Sequence, residues 1–463
     1  MKTENQQSAL KSERLYKLLL KYSIPAITGM LVSALYNIVD RIYIGKIPDI
    51  GSQAISGVGV TMPLTTIILA FGMLIGIGAT ANMSIALGKG NRRTAQKILG
   101  NALFLVVVVS LVLSVLGLVF LDKILMVFGA SEDLLPFARA YMIPILIGTI
   151  FNMLSFSMNH TIRADNSPTI AGLTMVLGCV LNIILDPIFI FVFKMGISGA
   201  AIATVISQAV SAAWVMYYYF GGRSKLKINL RSVKPNFKII MIILSIGVSP
   251  FAMQISNSVV QALLNNQLKA LGGDVAIGAF TIISSVSMLF LMAIFGLNQG
   301  AQPIIGYNYG AKNYKRVRLT LKIVIFVGTV YLTIGFIVTQ CFPHFLISLF
   351  STDPALMEIT AAGLKINLFT LPLLGACIMG SNFFQYIGKP TISLLLSVLR
   401  QFLLLIPILL ILPNFFGLKG VWLAQPICDV ISFVLIVAMV LIELKKQKRL
   451  EAEYREYCLT SGE

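Results

Sequence analysis

Asn182 and Asp186 stand four residues apart in the run Asn182-Ile-Ile-Leu-Asp186-Pro187, inside an apolar stretch from Pro168 to Phe193. At i and i+4 the amide and the carboxylate share one helix face. A carboxylate in the middle of a membrane span costs on the order of 2.5 kcal/mol or more, so it faces the protein interior and marks an ion or substrate path. Pro187 removes the hydrogen bond to the Ile183 carbonyl and bends the helix beside the polar pair. Asp40 and Thr204 join the pair by depth. At a rise of 1.5 Å per residue, Asp186 and Thr204 each lie roughly 12 Å below one membrane surface, and Asp40 lies about 8 to 9 Å below it. Asp40, Asn182, Asp186 and Thr204 therefore place two carboxylates, an amide and a hydroxyl in one layer. These oxygens suit a proton or a hard cation such as Na⁺. H⁺ is the preferred coupling ion, because a carboxylate beside a proline bend gives a helix that can straighten or kink on protonation; Na⁺ is the alternative.

Polar side chains also recur in two stripes. Asn152, Ser155 and Asn159 fall at i, i+3 and i+7 of the fourth apolar run, and Gln254, Asn257, Gln261 and Asn265 repeat along the seventh. With Tyr36, these are expected to line a watery substrate cavity. The competing reading is interhelical hydrogen bonding, worth roughly 0.6 kcal/mol per contact. Gly72 and Gly76 read as close-packing positions. Asp429 is a third mid-span acid, either a partner for Arg400, a solvated cavity residue or a second coupling group. Some of the 19 methionines would suit an adaptable drug surface, although most read as core or lipid-facing.

The elements that must hold these residues are membrane spans. Charged residues are 12% and the apolar set AVILMFWYC is 57%, against roughly 25% and 45 to 50% in a soluble domain. Apolar runs of about 20 residues or more predict an all-α polytopic membrane protein. Twelve transmembrane helices are expected: Leu15 to Ile44, Gln53 to Leu87, Ile98 to Leu121, Leu134 to Asn159, Pro168 to Phe193, Ile197 to Phe220, Phe237 to Leu264, Val275 to Ile305, Leu319 to Phe342, Met357 to Tyr386, Thr391 to Leu412 and Leu418 to Glu443. Alternate connections are basic. Of 36 Lys and Arg, 27 fall on one side, including Lys89 to Lys97, Arg163, Arg223 to Lys238, Lys312 to Lys322 and the tail from Lys445. Seven fall on the other (Arg41, Lys46, Lys123, Arg139, Lys194, Lys269, Lys419), and Lys365 and Arg400 lie within spans. The positive-inside rule then puts both termini in the cytoplasm of a multi-pass cell-membrane protein.

Several classes are excluded. The basic excess carries no interleaved stacking aromatics, so no nucleic acid partner is expected. Five cysteines without a pairing pattern and two isolated histidines imply neither a disulfide framework nor a metal site. No G-x-x-x-x-G-K-[ST] run would hold ATP phosphates, no cleavable signal peptide precedes the first span, and no nucleophile with a base or metal pair marks an intramembrane enzyme.

The chain also repeats itself. An offset of 222 matches Gly78 with Gly300, Gly88 with Gly310, Asn91 with Asn313 and Pro168-Thr169 with Pro390-Thr391. Pro25 aligns with Pro250, and Gly196 and Gly199 with Gly417 and Gly420. Six spans per half give parallel repeats with a path between them, a transporter architecture. The expected organisation is two pseudo-symmetric six-helix bundles: an N-terminal lobe over 1–222, a cytoplasmic linker over 223–238, and a C-terminal lobe with a tail over 239–463. Only the first half keeps the acids, since Asn265 stands opposite Asp40, and Leu404 and Ile408 stand near the positions opposite Asn182 and Asp186.

These residues carry a family resemblance. Arg163-Ala164-Asp165 leading to Pro168, the Asn182 to Pro187 run followed by Gly196, Gly199-Ala200-Ala201 and Ala203-Thr204, and Gln299-Gly300-Ala301-Gln302-Pro303 running into Gly306-Tyr307-Asn308-Tyr309-Gly310-Ala311 resemble the multidrug and toxic compound extrusion (MATE) family. The resemblance covers about Leu15 to Glu443. It implies a drug/cation antiporter of two six-helix lobes around a V-shaped cavity, with a cation site matching Asp40, Asn182, Asp186 and Thr204. Family members with acids on the seventh and tenth helices are not matched; here those spans carry amides and Lys365. The expected function is a secondary antiporter, not an enzyme, that exports organic and mostly cationic amphipathic compounds against inward H⁺ or Na⁺. It would need no cofactor and no metal beyond a Na⁺ at the cation site, and would act as a monomer on drug-like substrates in the bilayer. The alternative is a flippase for a lipid-linked precursor, which would need several bases along its cavity.

Overall fold

Lipid offers no hydrogen-bond partners, so apolar runs of this length close their backbone bonds internally as helices. The computed structural model describes residues 13–45, 47, 51–128, 130, 132, 134–222, 224–226, 228, 233–350 and 354–461. Lys2, Lys11, Lys46, Arg223, Lys227 and Arg231, and the side chains of Arg41, Asn265, Lys269 and Arg455, lie outside the described residues. Among the described residues ten helices are long and apolar enough to span a membrane, and two bent pairs, each taken as one span, complete twelve. The first three spans are Leu15–Gly45, Gly51–Gly88 and Arg92–Val119. The fourth is bent by 56° between Leu135–Ile147 and Thr149–Ala164. The fifth is Pro168–Pro187 continued by a π-helical turn, Ile188–Val192, and the sixth is Gly196–Phe220.

The second half repeats the pattern. The seventh and eighth spans form the run Phe237–Gly310, broken at Gly273 where φ is 61° and ψ is −157°. The ninth is Tyr314–Cys341. The tenth is bent by 50° and ends in Leu371–Tyr386. The eleventh passes from Pro390–Val398 through a π segment, Leu399–Leu405, to Ile406–Phe416. The twelfth, Leu418–Ser461, continues well past Glu443. Short helices Leu121–Val127 and Pro343–Ser348 follow the third and ninth spans.

Equivalent positions do equivalent work. Asn91 and Asn313 each cap a helix, accepting from the backbone N–H of Thr94 at 3.0 Å and of Arg316 at 3.3 Å. Gly196 opens the sixth span and Gly417 precedes the twelfth, with φ of 57° and 55°, a conformation that favours glycine. Gly88 and Gly310 meet at the crossing of the second and eighth spans. A Cβ on Gly88 would lie 2.0 Å from the Tyr307 carbonyl oxygen, and one on Gly310 would lie 2.1 Å from that of Ile85.

Those crossings lie toward the face where both chain ends sit. The chain leaves this face in the first span and returns in the second, so residues 77–88 and 296–310 are near it, as is the start of the seventh span. Asn82 Nδ2 donates to the Ile242 carbonyl at 3.1 Å and Gln302 Nε2 to that of Ile77 at 3.3 Å. Arg316 donates to the Glu13 carbonyl at 2.8 Å. Within the second half, Arg318 pairs with Glu451. The bonds of Asn82, Gln302 and Arg316 thus join the halves toward this end, and Gln299 Nε2 reaches the Met30 sulfur at 3.7 Å deeper along the first and eighth spans.

Candidate functional site

The four residues singled out in sequence converge. Asn182 Nδ2 donates to Asp186 Oδ1 at 3.0 Å and contacts Thr204 Oγ1 at 3.2 Å. The first bond follows from helix spacing; the second ties the fifth span to the sixth. Asp40, from the first span, brings its carboxyl within hydrogen-bonding reach of the Asp186 carboxyl. All four are buried, Asp186 completely. Asp186 Oδ2 and Asn182 Oδ1 meet no hydrogen-bond donor, and Asp186 makes no ion pair among the described residues. Two carboxyl groups at that range, away from water, need a cation between them. A proton would supply the missing donor, and a metal ion would supply the charge.

Beside this cluster lies a cavity of about 770 Å³, mouth included, walled by the first, fourth, fifth and sixth spans with Gln299 of the eighth. Asn182 and Thr204 belong to its wall, whereas Asp186 sits one layer behind them. Tyr36, Asn152, Ser155 and Asn159 line it too. Asn159 has a second task, donating to the Ala171 carbonyl at 2.8 Å and so joining the fourth span to the fifth. The seventh-span stripe is elsewhere. Asn257 accepts from Gln401 Nε2 at 2.7 Å, Gln254 is half-buried and Gln261 exposed, and none of the three lines this cavity.

Sequence reading missed other wall residues. Arg163 was counted with the basic connections, yet it is 2% exposed and lines the cavity with His160. A signal existed: Arg163 continues the Asn152, Ser155, Asn159 stripe by one further helical turn. Its neighbour Asp165 does something different. Asp165 Oδ2 accepts from Tyr218 Oη and Ser224 Oγ, each at 2.7 Å, and from the Lys225 backbone N–H at 3.0 Å. Burial pushes this carboxyl above the ordinary range, and the donated hydrogen bonds oppose that shift. Tyr22 donates to Asn166 beside it. This cluster binds the first span, the fourth-to-fifth connection, the sixth span and the start of the segment that follows it.

Asp429 is a partner for Arg400. Its Oδ1 accepts from Arg400 at 3.1 Å and Gln425 at 2.9 Å, and its Oδ2 accepts from Thr370 at 3.2 Å. Lys365 is exposed. Gly72 and Gly76 pack against Phe156 and Ser157 of the fourth span, where Ser157 also donates to the Gly72 carbonyl at 2.9 Å.

The profile of the MatE family matches residues 25–188 and 250–411, one match in each half. The chain is 28% identical over 429 residues to the multidrug export protein MepA of Staphylococcus haemolyticus (strain JCSC1435), covering 92% of this chain and 94% of that protein. It is 29% identical to MepA of Staphylococcus aureus (strain MRSA252), covering 92% and 96%. Among solved structures, a MATE protein in complex with MaL6 superposes with a TM-score of 0.90 at 25% identity, over 95% of this chain and 99% of that one. The MATE multidrug transporter DinF-BH in complex with rhodamine 6G is similar with a TM-score of 0.87 and 36% identity, over 93% and 96%.

Proposed function

The chain belongs to the MatE family, and from that premise we propose that it exports organic, mainly cationic amphipathic compounds in exchange for H⁺ entering at the Asp40–Asp186 cluster. Multidrug export by the MepA relatives and the rhodamine 6G complex of DinF-BH support the substrate class. The observation that carries the coupling is the paired carboxyls joined to the cavity through Asn182 and Thr204. A proton neutralises the pair. Its departure leaves a buried negative charge whose field reaches a cationic compound in the cavity, so the two cations compete for one site.

Pro187 beside Asp186 supports H⁺ over Na⁺: a proton needs only a carboxylate, and a helix interrupted at a proline can straighten or kink as that carboxylate is protonated, whereas a Na⁺ needs oxygens converging on one point. In this reading the face with both chain ends is cytoplasmic, because the Lys and Arg excess lies there. The protein works as a monomer in the cell membrane, and lobes 1–222 and 239–463 rock about the connector 223–238. A flippase for a lipid-linked precursor would want several bases in the cavity, and the described wall has Arg163 as its one Lys or Arg.

Inside-out vesicles test this reading with rhodamine 6G and with H⁺ and Na⁺ gradients varied separately. An acidic lumen alone should drive dye uptake. A saturable Na⁺ requirement, shifted to higher concentration by Thr204→Val and by Asn182→Leu, would replace the proton with sodium.

A further inference from the structure

Among the described residues Arg163 has no counter-ion. Its guanidinium is protonated at any physiological pH, it is buried, and among the described residues it makes no ion pair. One nitrogen, Nη2, rests on the Met175 sulfur at 3.3 Å. Nε and Nη1 meet no acceptor. The acid nearest in sequence, Asp165, is engaged by Tyr218, Ser224 and the Lys225 amide. One turn earlier on the same helix face, His160 is also buried, and its Nδ1 has no partner. Both residues line the cavity.

The cavity is therefore bipolar. Met175, which touches Arg163, and Asn182, which touches Asp186, both line it and lie seven residues apart on the fifth span. Two helical turns separate them by about 10 Å. The acids stand behind one end and the unpaired guanidinium at the other.

We propose that Arg163, flanked by His160, forms an anion-recognising subsite of the export cavity that takes the carboxylate, or an equivalent anionic oxygen group, of a zwitterionic amphipathic substrate. The proposal rests on reading this cavity as the substrate site. The substrate's cationic part then lies toward Asn182 and Thr204, within the field of the acid pair. Met175 holds the position meanwhile. A thioether is a weak acceptor on a flexible stem, so a carboxylate that displaces it exchanges one weak contact for a charge-assisted, two-pronged one.

The test compares two dyes that differ by one group: rhodamine 6G, an ester monocation, and rhodamine 19, the same dye with a free carboxylate. Equilibrium binding to purified full-length protein in detergent is read by fluorescence anisotropy, without any ion gradient. Wild type should bind both dyes. Arg163→Met should weaken rhodamine 19 on the order of tenfold or more, the loss expected for a hydrogen bond to a charged group, and should not weaken rhodamine 6G, a cation that the guanidinium repels. Arg163→Lys keeps the charge but not the planar fork. It should give an intermediate affinity for rhodamine 19, and it replaces the methionine variant if that one fails to accumulate. Equal weakening of both dyes, no weakening of either, or a wild type that binds rhodamine 6G but not rhodamine 19 would overturn the subsite. Failure of gradients to drive export, with the binding difference intact, would count against the antiport reading alone. A wild type that binds neither dye would remove the substrate cavity and the subsite together.

Discussion

At the proposed cation cluster the four side chains are expected to contribute unequally. Asp40→Asn and Asp186→Asn remove the groups that exchange a proton, and each should lower gradient-driven efflux of rhodamine 6G by at least about tenfold, the scale of a coupling free energy of 1 to 3 kcal/mol. Thr204→Val removes only a hydroxyl and should keep efflux within about threefold if H⁺ is the coupling ion. Asn182→Leu strands Asp186 Oδ1 and Thr204 Oγ1 and should cost about 1 to 3 kcal/mol of stability, read as a lower melting temperature in detergent. This cluster was legible in the sequence because a mid-span carboxylate is costly and because depth can be counted along a helix. Arg163 was not, because near a span's end a basic residue reads as a snorkelling or surface group, and only its place in the stripe from Asn152 argues otherwise. Nor could the sequence place Gln254, Asn257 and Gln261: a polar stripe marks a shared face, but the tertiary neighbour decides what that face meets, here Gln401 for Asn257.

Among the elements, the second half pairs Arg400 with the buried Asp429 where the eleventh span enters a π segment at Leu399–Leu405. Asp429→Leu alone leaves the Arg400 guanidinium buried and unpaired, and should destabilise by about 3 to 5 kcal/mol. The double variant with Arg400→Met should recover most of that loss while keeping gradient-driven efflux. Thermal melting of the single and double variants, with efflux on the double, checks both statements. Gly417→Ala forces a side chain into a backbone conformation at φ 55° and should cost about 1 to 3 kcal/mol. Gly196→Ala should behave alike if the halves are equivalent. Span number and approximate ends followed from apolar run length, and Pro187 stands where the fifth span passes from α-helix into its π-helical turn. The breaks near Gly148 and Thr370 did not, because an apolar run stays apolar through a bend. The π segments left no mark in composition either.

For the whole molecule, the repeat read from glycine and proline offsets reappears as geometry, with Gly88 and Gly310 meeting where the halves touch. The contact between lobes at that end leaves no room for a Cβ, so Gly88→Val should hold the lobes apart and depress efflux, with an overpacking cost of about 1 to 3 kcal/mol. A disulfide introduced across the lobes at the opposite end should stop transport reversibly with reductant; undiminished transport in the crosslinked protein would rule out rocking. The central claim is that proton and compound exchange through Asp40 and Asp186. It is tested most directly in proteoliposomes of purified protein, where an imposed rhodamine 6G gradient is the only driving force and a pH electrode follows the weakly buffered medium. Wild type should move protons opposite to the dye, and Asp40→Asn and Asp186→Asn, reconstituted to equal levels, should move none. Proton movement that persists in both variants, or dye flux in wild type without any proton movement, would contradict the account.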